Sequence, residues 1–244
     1  MQIKILGTRG EVEPSVPYHS KHSGLLIDDT LLLDLGEKEF LDFKPKSIFI
    51  THLHPDHAFF VTEPAAIDIP IYAPESTEVE TDVRTADSTV RIGSYKVIPI
   101  PTHHSKKVKS SAYVVDNGKQ KLLYTGDMIW INKEYHHLFK GLALVVTEAS
   151  FIRKRGMVRR DKDTGKIYGH TGVPNLIDLF KQFTRHILFI HFGNWFYEGA
   201  SAARQRLNKL GKDNDMNIYV GYDNMELDLD HLQPGSSQPS TNPT

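Results

Sequence analysis

The chain has 244 residues, 39% of them hydrophobic, enough to bury a sizeable core as one large domain or two small ones. A formal net charge of −1 gives the molecule as a whole no pull towards nucleic acid or an anionic membrane, so any affinity for phosphate must be local. The absence of cysteine removes disulfides, thiolate metal sites and a cysteine nucleophile together. The opening MQIKILGTRG has too short an apolar run for a signal peptide, and no stretch approaches the length of a membrane span. A soluble, cytoplasmic protein is the expectation.

In chain order, IKIL, GLLIDDTLLLDLG, SIFIT, YKVIPI, SAYVV, KLLYTG, LALVV, HILFIHFG and NIYVGY read as strands separated by turn residues. Most are continuous apolar runs, the pattern of strands buried on both faces. Helices are fewer. VPNLIDLFKQF places Leu176, Ile177, Phe180 and Phe183 on one face, with Pro174 suited to the first turn. GASAARQRLNKLG reads as a second helix, closed by Gly211. Buried strands with a few outer helices predict an α/β protein of two packed sheets flanked by helices. After Asp230 the text HLQPGSSQPSTNPT is polar and rich in Pro, Ser and Gly. One domain over residues 1–230 and a flexible tail over 231–244 are therefore expected.

The stretch THLHPDH, residues 51–57, carries three histidines and one aspartate in seven positions. It follows an apolar strand, and in extended chain residues two apart point the same way, so His52 and His54 can reach one ion together. Pro55 forces a turn, after which Asp56 and His57 can face a second position. Four donors packed so tightly suggest two ions, which need further ligands. Strand ends supply them: His103 and His104 close KVIPIPTHHS, Asp127 closes KLLYTGD and His191 closes HILFIHFG. A carboxylate such as Asp127 can bridge two cations, which a neutral imidazole cannot. One of His103 and His104 is expected to orient a neighbour by hydrogen bond instead of binding metal. An all-nitrogen-and-oxygen set suits Zn²⁺ and, less well, Mn²⁺ or Fe²⁺.

His-x-His-x-Asp-His after a strand, a later His, an Asp in TGD and a last His after a strand resemble the metallo-β-lactamase superfamily, from GTRG and LLLDLGE (with Asp34) to HFG. The resemblance implies an αββα sandwich, two mixed sheets flanked by helices, with a di-metal site at one edge. Carried over, His52, His54 and His104 would hold one ion, Asp56, His57 and His191 the other, and Asp127 would bridge. PTHHSK, TEASF, YGHTG and VGYDNMELDL are similar to motifs of the branch holding ribonuclease Z and the phosphonate-pathway cyclic phosphodiesterases. Two features depart from it. Only residues 105–126 separate His104 from Asp127, too few for the long transfer-RNA-gripping arm, and the cysteine-rich zinc motif is missing.

The branch implies a compact phosphodiesterase acting on a nucleotide, a cyclic phosphate or a nucleic-acid end, and often a homodimer. In it two divalent cations would activate water for attack on phosphorus. Asp56 would orient that water, His170 would protonate the departing oxygen, and Glu148 would orient His170 or merely cap local backbone. The basic stretches SKKVKSS and Arg153–Lys166 could clamp phosphates at the mouth of the site, and the aromatics Trp195, Phe196 and Tyr197 could stack on a base or pack in the core. An acyl or lactone hydrolase using the same metals is the alternative, because the ligands alone do not choose between phosphorus and carbon.

Overall fold

The computed structural model describes residues 1–77, 79 and 81–232. The chain opens with β1 (Gln2–Gly7), β2 (Gly24–Ile27), β3 (Leu31–Leu33), β4 (Ser47–Phe49), β5 (Ile71–Ala73) and β6 (Val83–Thr85). It continues through β7 (Val90–Ile92), β8 (Tyr95–His103), β9 (Ser111–Asp116), β10 (Lys121–Tyr124), β11 (Trp130–Ile131) and β12 (Leu144–Ala149). A separate hairpin of β13 (Met157–Arg160) and β14 (Ile167–His170) precedes α1 (Val173–Phe180), β15 (His186–Phe192), α2 (Asn194–Tyr197), α3 (Ala200–Asp213), β16 (Asn217–Val220) and β17 (Glu226–Asp228).

The strands form two large mixed sheets. One has the order β17-β1-β2-β3-β4-β5-β6; the other runs β11-β8-β9-β10-β12-β15-β16, with β7 beside β8. Strand alternation explains why the apolar runs are continuous. Leu25, Ile27, Leu31 and Leu33 point between the sheets, where they meet Tyr113, Val115, Leu122, Tyr124, Val146 and Leu188. Leu26 and Leu32 point the opposite way, against Phe40, Phe59 and Phe60 of short 3-10 turns. On the second sheet Leu123, Val145, Ile187 and Phe189 pack outward against Leu176, Ile177 and Phe180 of α1 and Leu207 of α3. The layers are those of an αββα sandwich, with 3-10 turns where the first sheet's outer helices stand.

Two local details depart from the expected elements. The helix α3 is not closed by Gly211 but passes through it to Asp213. The glycine is there for contact: a Cβ would lie 2.9 Å from the Met216 carbonyl oxygen and 3.2 Å from Ile218, so the helix lies on β16 at a distance no side chain allows. GLLIDDTLLL is a hairpin: Asp28 and Asp29 both take left-handed backbone (φ 45° and 48°), and Thr30 N donates to the Ile27 carbonyl at 2.8 Å. Of the expected tail, His231 and Leu232 are described, His231 within a 3-10 turn; residues 233–244 lie outside the described residues.

Just past β1 a polar chain ties GTRG to GYDNM. Arg204 donates to Nε2 of buried His19 at 2.7 Å, which fixes the imidazole proton on Nδ1. Nδ1 then donates to Thr8 Oγ1 at 2.9 Å, and Thr8 donates to Asp223 Oδ1 at 2.8 Å. Burial, reinforced by the Arg204 charge, lowers the His19 pKa to about 3. Folded protein therefore keeps His19 neutral where the unfolded chain would bind a proton. This contribution is complete above pH ~6.5 and is lost as pH falls towards 3, at about 1.4 kcal/mol per pH unit. In His19→Gln the amide can still accept from Arg204 and donate to Thr8. Its urea-unfolding free energy should fall less steeply than wild type between pH 6.5 and 5; parallel slopes would show that His19 does not titrate on unfolding.

Candidate metal centre

Each sequence-designated donor lies on a loop or strand end at one edge of the sandwich. His52, His54, Asp56 and His57 follow β4 of the first sheet, while His104, Asp127 and His191 come from the ends of β8, β10 and β15 in the second. Gly126 is the joint between the two sets. Its φ is +55°, and a Cβ there would come within 2.4 Å of Thr51 Oγ1, so only glycine lets the TGD turn sit against THLHPDH. His191 is presented by a bulge: β12 pairs Glu148 with Ile190 and Ala149 with Phe192, so His191 is the extra residue. It takes φ +50°, a strained conformation for a histidine, and leaves the strand direction to face the other donors.

The structure brings all seven together, and their donor atoms form two groups on either side of one carboxylate. His52 Nε2 lies 3.0 Å and His104 Nε2 3.4 Å from His54 Nδ1, and both Nε2 atoms face Asp127 Oδ2, at 3.8 and 3.7 Å. Asp56 Oδ2 lies 2.9 Å from His191 Nε2 and 3.5 Å from His57 Nε2, which in turn faces Asp127 Oδ1 at 3.5 Å. The two oxygens of Asp127 thus address different groups. Each trio keeps its donor atoms within 4.8 Å of one another.

The ring atoms turned inward are the ones a cation would bind. His57 Nδ1 donates to Asp34 Oδ2 at 2.7 Å and His104 Nδ1 to the Gly169 carbonyl at 3.0 Å, so Nε2 of each ring points at its group. His57 Nε2 and Asp127 Oδ1 are buried without a hydrogen-bond partner among the described residues. Burial first, then its histidine neighbours, holds His52 well below the usual imidazole range. Burial also lowers His54 and His104. For His57 burial is opposed and outweighed by Asp56, Asp34 and Asp127, which raise it. The carboxyl groups behave conversely: burial is overcome by His57 and His191, so Asp56 and Asp127 stay ionised below the usual range. Buried carboxylates whose only ion-pair partners among the described residues are histidines, with orphaned nitrogen and oxygen atoms between them, fit divalent cations of the Zn²⁺ type.

Asp34 is the hub under this set, and the motif reading gave it no role. It is fully buried at φ +61°; Oδ1 accepts from Thr51 N at 2.7 Å, and Oδ2 accepts from His57 Nδ1, Tyr124 OH at 2.9 Å and Thr51 Oγ1 at 3.0 Å. An acidic residue ending the run LLLD was the only sequence signal. His103 needs a correction: it neither joins the donors nor orients one. As the strand neighbour of His104 it points to the opposite face, where Nε2 meets Asn132 Oδ1 at 3.1 Å on the exposed surface.

Beside the donors, His170 Nδ1 bonds Glu148 Oε2 at 2.8 Å, and Oε1 of the same buried carboxylate accepts Met128 N at 2.7 Å. Glu148 therefore both orients the imidazole and caps backbone. Burial lowers the His170 pKa, but Glu148 and Asp127 outweigh it and lift it to about 9. A cavity of about 320 Å³ opens on His54, Asp56, His104, Asp127, His170 and His191. Its other side is Glu11, Val12, Phe151, Met157 and Trp195; Phe151 ends TEASF and Trp195 follows HFGN, whereas no motif marks Glu11 or Val12. Of the three aromatics after HFGN, Trp195 lines this cavity with Nε1 donating to the Ala149 carbonyl at 2.7 Å. Phe196 is core, stacked on Phe192 at 4.0 Å, and Tyr197 is half-buried away from the donors.

Fold and donor set together define the class: a hydrolase of the metallo-β-lactamase fold with a site for divalent metal. The family described as beta-lactamase superfamily domain matches residues 41–192, and the chain belongs to that superfamily. Solved structures agree on the fold. The metallo-β-lactamase fold protein YhfI from Bacillus subtilis matches with TM-score 0.68 and 17% identity, over 93% of this chain and 98% of its own. Human tRNase Z, short form, matches with TM-score 0.62 and 19% identity, over 94% and 99% of the two chains. A diphosphatase from the PhnP family matches with TM-score 0.62 and 15% identity, over 93% and 97%. No curated protein matches the sequence. Among the described residues no helix is long and apolar enough to cross a membrane.

Proposed function

We propose that the protein is a di-metal phosphodiesterase acting on a nucleotide, a cyclic phosphate or a nucleic-acid end, with zinc as the metal its donors suit best. The observation that carries this reading is His170: a histidine on the cavity wall, locked through Nδ1 to Glu148, with Nε2 making no hydrogen bond among the described residues. Such a group serves a reaction whose leaving oxygen needs a proton. Bound in pairs, divalent cations would lower the pKa of a water towards neutrality and offset the charge of non-bridging phosphate oxygens. His52, His54 and His104 would hold one and Asp56, His57 and His191 the other, with Asp127 between. Asp56 would also accept a hydrogen bond from the attacking water and so aim it. His170 would donate from Nε2 to the leaving oxygen, and Glu148 would stabilise the imidazolium before the transfer. The nearby cations would draw the His170 pKa down again, into the range where imidazole gives and regains protons at neutral pH. Two similar folds, described as a diphosphatase and a tRNase, support phosphorus chemistry by analogy.

One feature favours the second reading, an acyl or lactone hydrolase. Glu11 and the apolar side chains of Val12, Phe151, Met157 and Trp195 make half the cavity a poor host for several phosphates. Parallel assays decide. Purified protein, stripped by a chelator and then given Zn²⁺ or Mn²⁺, should hydrolyse bis-p-nitrophenyl phosphate well above p-nitrophenyl acetate or a lactone. The opposite preference would overturn the phosphodiesterase reading in favour of its alternative.

A further inference from the structure

Directly after His104 the chain enters a loop, residues 105–110, that forms one wall of a second groove, of about 800 Å³. The β13–β14 hairpin reaches both spaces. At one end Met157 and His170, paired in register, line the metal-facing cavity; at the other Arg160 and Ile167, also paired, line the groove. Three residues of extended strand, about 10 Å, separate the two ends. The cavity and the groove are thus successive stations along the same pair of segments.

The groove is basic, in a protein that is nearly neutral overall. Lys106 is spent on structure: its Nζ pairs with Asp161 at 3.0 Å and lies 5.1 Å from the Tyr168 ring centre, tying the loop to the hairpin. Lys107, Lys109, Arg160 and Lys166 are exposed and make no ion pair among the described residues. Glu75 and Asp87 are the acids on the opposite wall; Glu75 is engaged by the backbone N–H of Lys109 at 2.7 Å. Trp130, 39% exposed, pairs with His103 across β11 and β8, and cross-strand partners share a face, so it leaves the sheet on the same side as His103, which lines the groove. Unpaired cations along a groove with an exposed aromatic at its side is the surface that tracks a phosphate backbone while bases stack.

We infer that this groove carries the backbone phosphates of a single-stranded nucleic acid whose scissile diester lies in the cavity. The inference rests on the phosphodiesterase reading and narrows it to a polynucleotide end. The cavity admits only the reacting group and its nearest neighbour, which reconciles its small, half-apolar interior with a polyanionic substrate.

The test compares wild type with Lys107→Ala/Lys109→Ala/Lys166→Ala. A fluorescein-labelled phosphorothioate single strand of about 12 nucleotides is followed by anisotropy from about 50 to 200 mM salt. Wild-type affinity should fall log-linearly with salt, and losing three phosphate contacts should make the slope shallower by about 2. The ratio of oligonucleotide to bis-p-nitrophenyl phosphate turnover should drop about tenfold or more in the variant. Equal slopes and ratios, or a mononucleotide diester competing as well as the 12-mer, would overturn the groove assignment. Groove-dependent binding without hydrolysis of either diester would uphold the groove and sink the phosphodiesterase reading; small-diester hydrolysis with variant-insensitive binding would do the reverse.

Discussion

His170→Ala should lower turnover of a phosphodiester with an alkyl leaving group by about 10²- to 10⁴-fold while the metal content of the purified protein stays at the wild-type level. The expectation follows from what the imidazole touches. Its Nδ1 is held by Glu148, so the proton it can deliver sits on Nε2 at the cavity. An alkoxide leaves badly without that proton, whereas p-nitrophenolate leaves without one. The same variant should therefore lose much less activity on bis-p-nitrophenyl phosphate, and the contrast between leaving groups is the signature of a lost acid. His170 also lies with His104 and Asp127 in a third group of potential ligands, whose donor atoms fall within 4.8 Å of one another. If the alanine variant comes out depleted of metal and equally slow on both diesters, His170 is a ligand and the proton-donor role falls.

The second large effect belongs to a residue that would touch neither metal nor substrate. Asp34→Ala removes the acceptor of four hydrogen bonds, from Thr51 N, Thr51 Oγ1, His57 Nδ1 and Tyr124 OH, all buried. Leaving such donors unpaired costs about 3–5 kcal/mol of stability. His57 loses the partner that fixes its tautomer and ring orientation, so metal affinity should weaken about 10- to 100-fold. Asp34→Asn keeps the shape but can place an amide nitrogen opposite three donors, and should recover little. Urea unfolding of chelator-treated protein measures the first loss, and competition with a chromogenic chelator the second. A variant with wild-type stability and affinity would refute the role given to this carboxylate.

Much of this was legible in the sequence, for physical reasons that differ by residue. His52, His54, Asp56 and His57 are neighbours in the chain, so local geometry alone brings their donors together. Asp127 and His191 could be singled out because each ends an apolar run, but what aims them is not written locally. Asp127 depends on Gly126 lying against Thr51 across the sheets, and His191 on one extra residue relative to β12. His103 and His104 were indistinguishable as text; the phase of β8 separates them, and phase is set by pairing with β9 and β11. Short strands such as β5, β6 and β17 carry three residues each and gain their conformation from the neighbours they pair with. The hairpin was visible only as a charged run leading into YGHTG, because its strands are too exposed to show an apolar rhythm.

The donors are divided between two sheets that meet, beneath the site, mostly through apolar side chains, with the Tyr124–Asp34 and Tyr113–Ile50 hydrogen bonds crossing between them. Phe49 and Leu33 on one side pack in the same cluster as Tyr113, Tyr124 and Leu188 on the other. A slide of one layer over the other by a single ångström would pull half the ligands from the remainder, and misplacement on that scale can cost a hundredfold in rate. Catalytic precision in this molecule is thus stored in its greasy seam. Substitutions there should surface in functional screens as damaged chemistry in proteins that still fold.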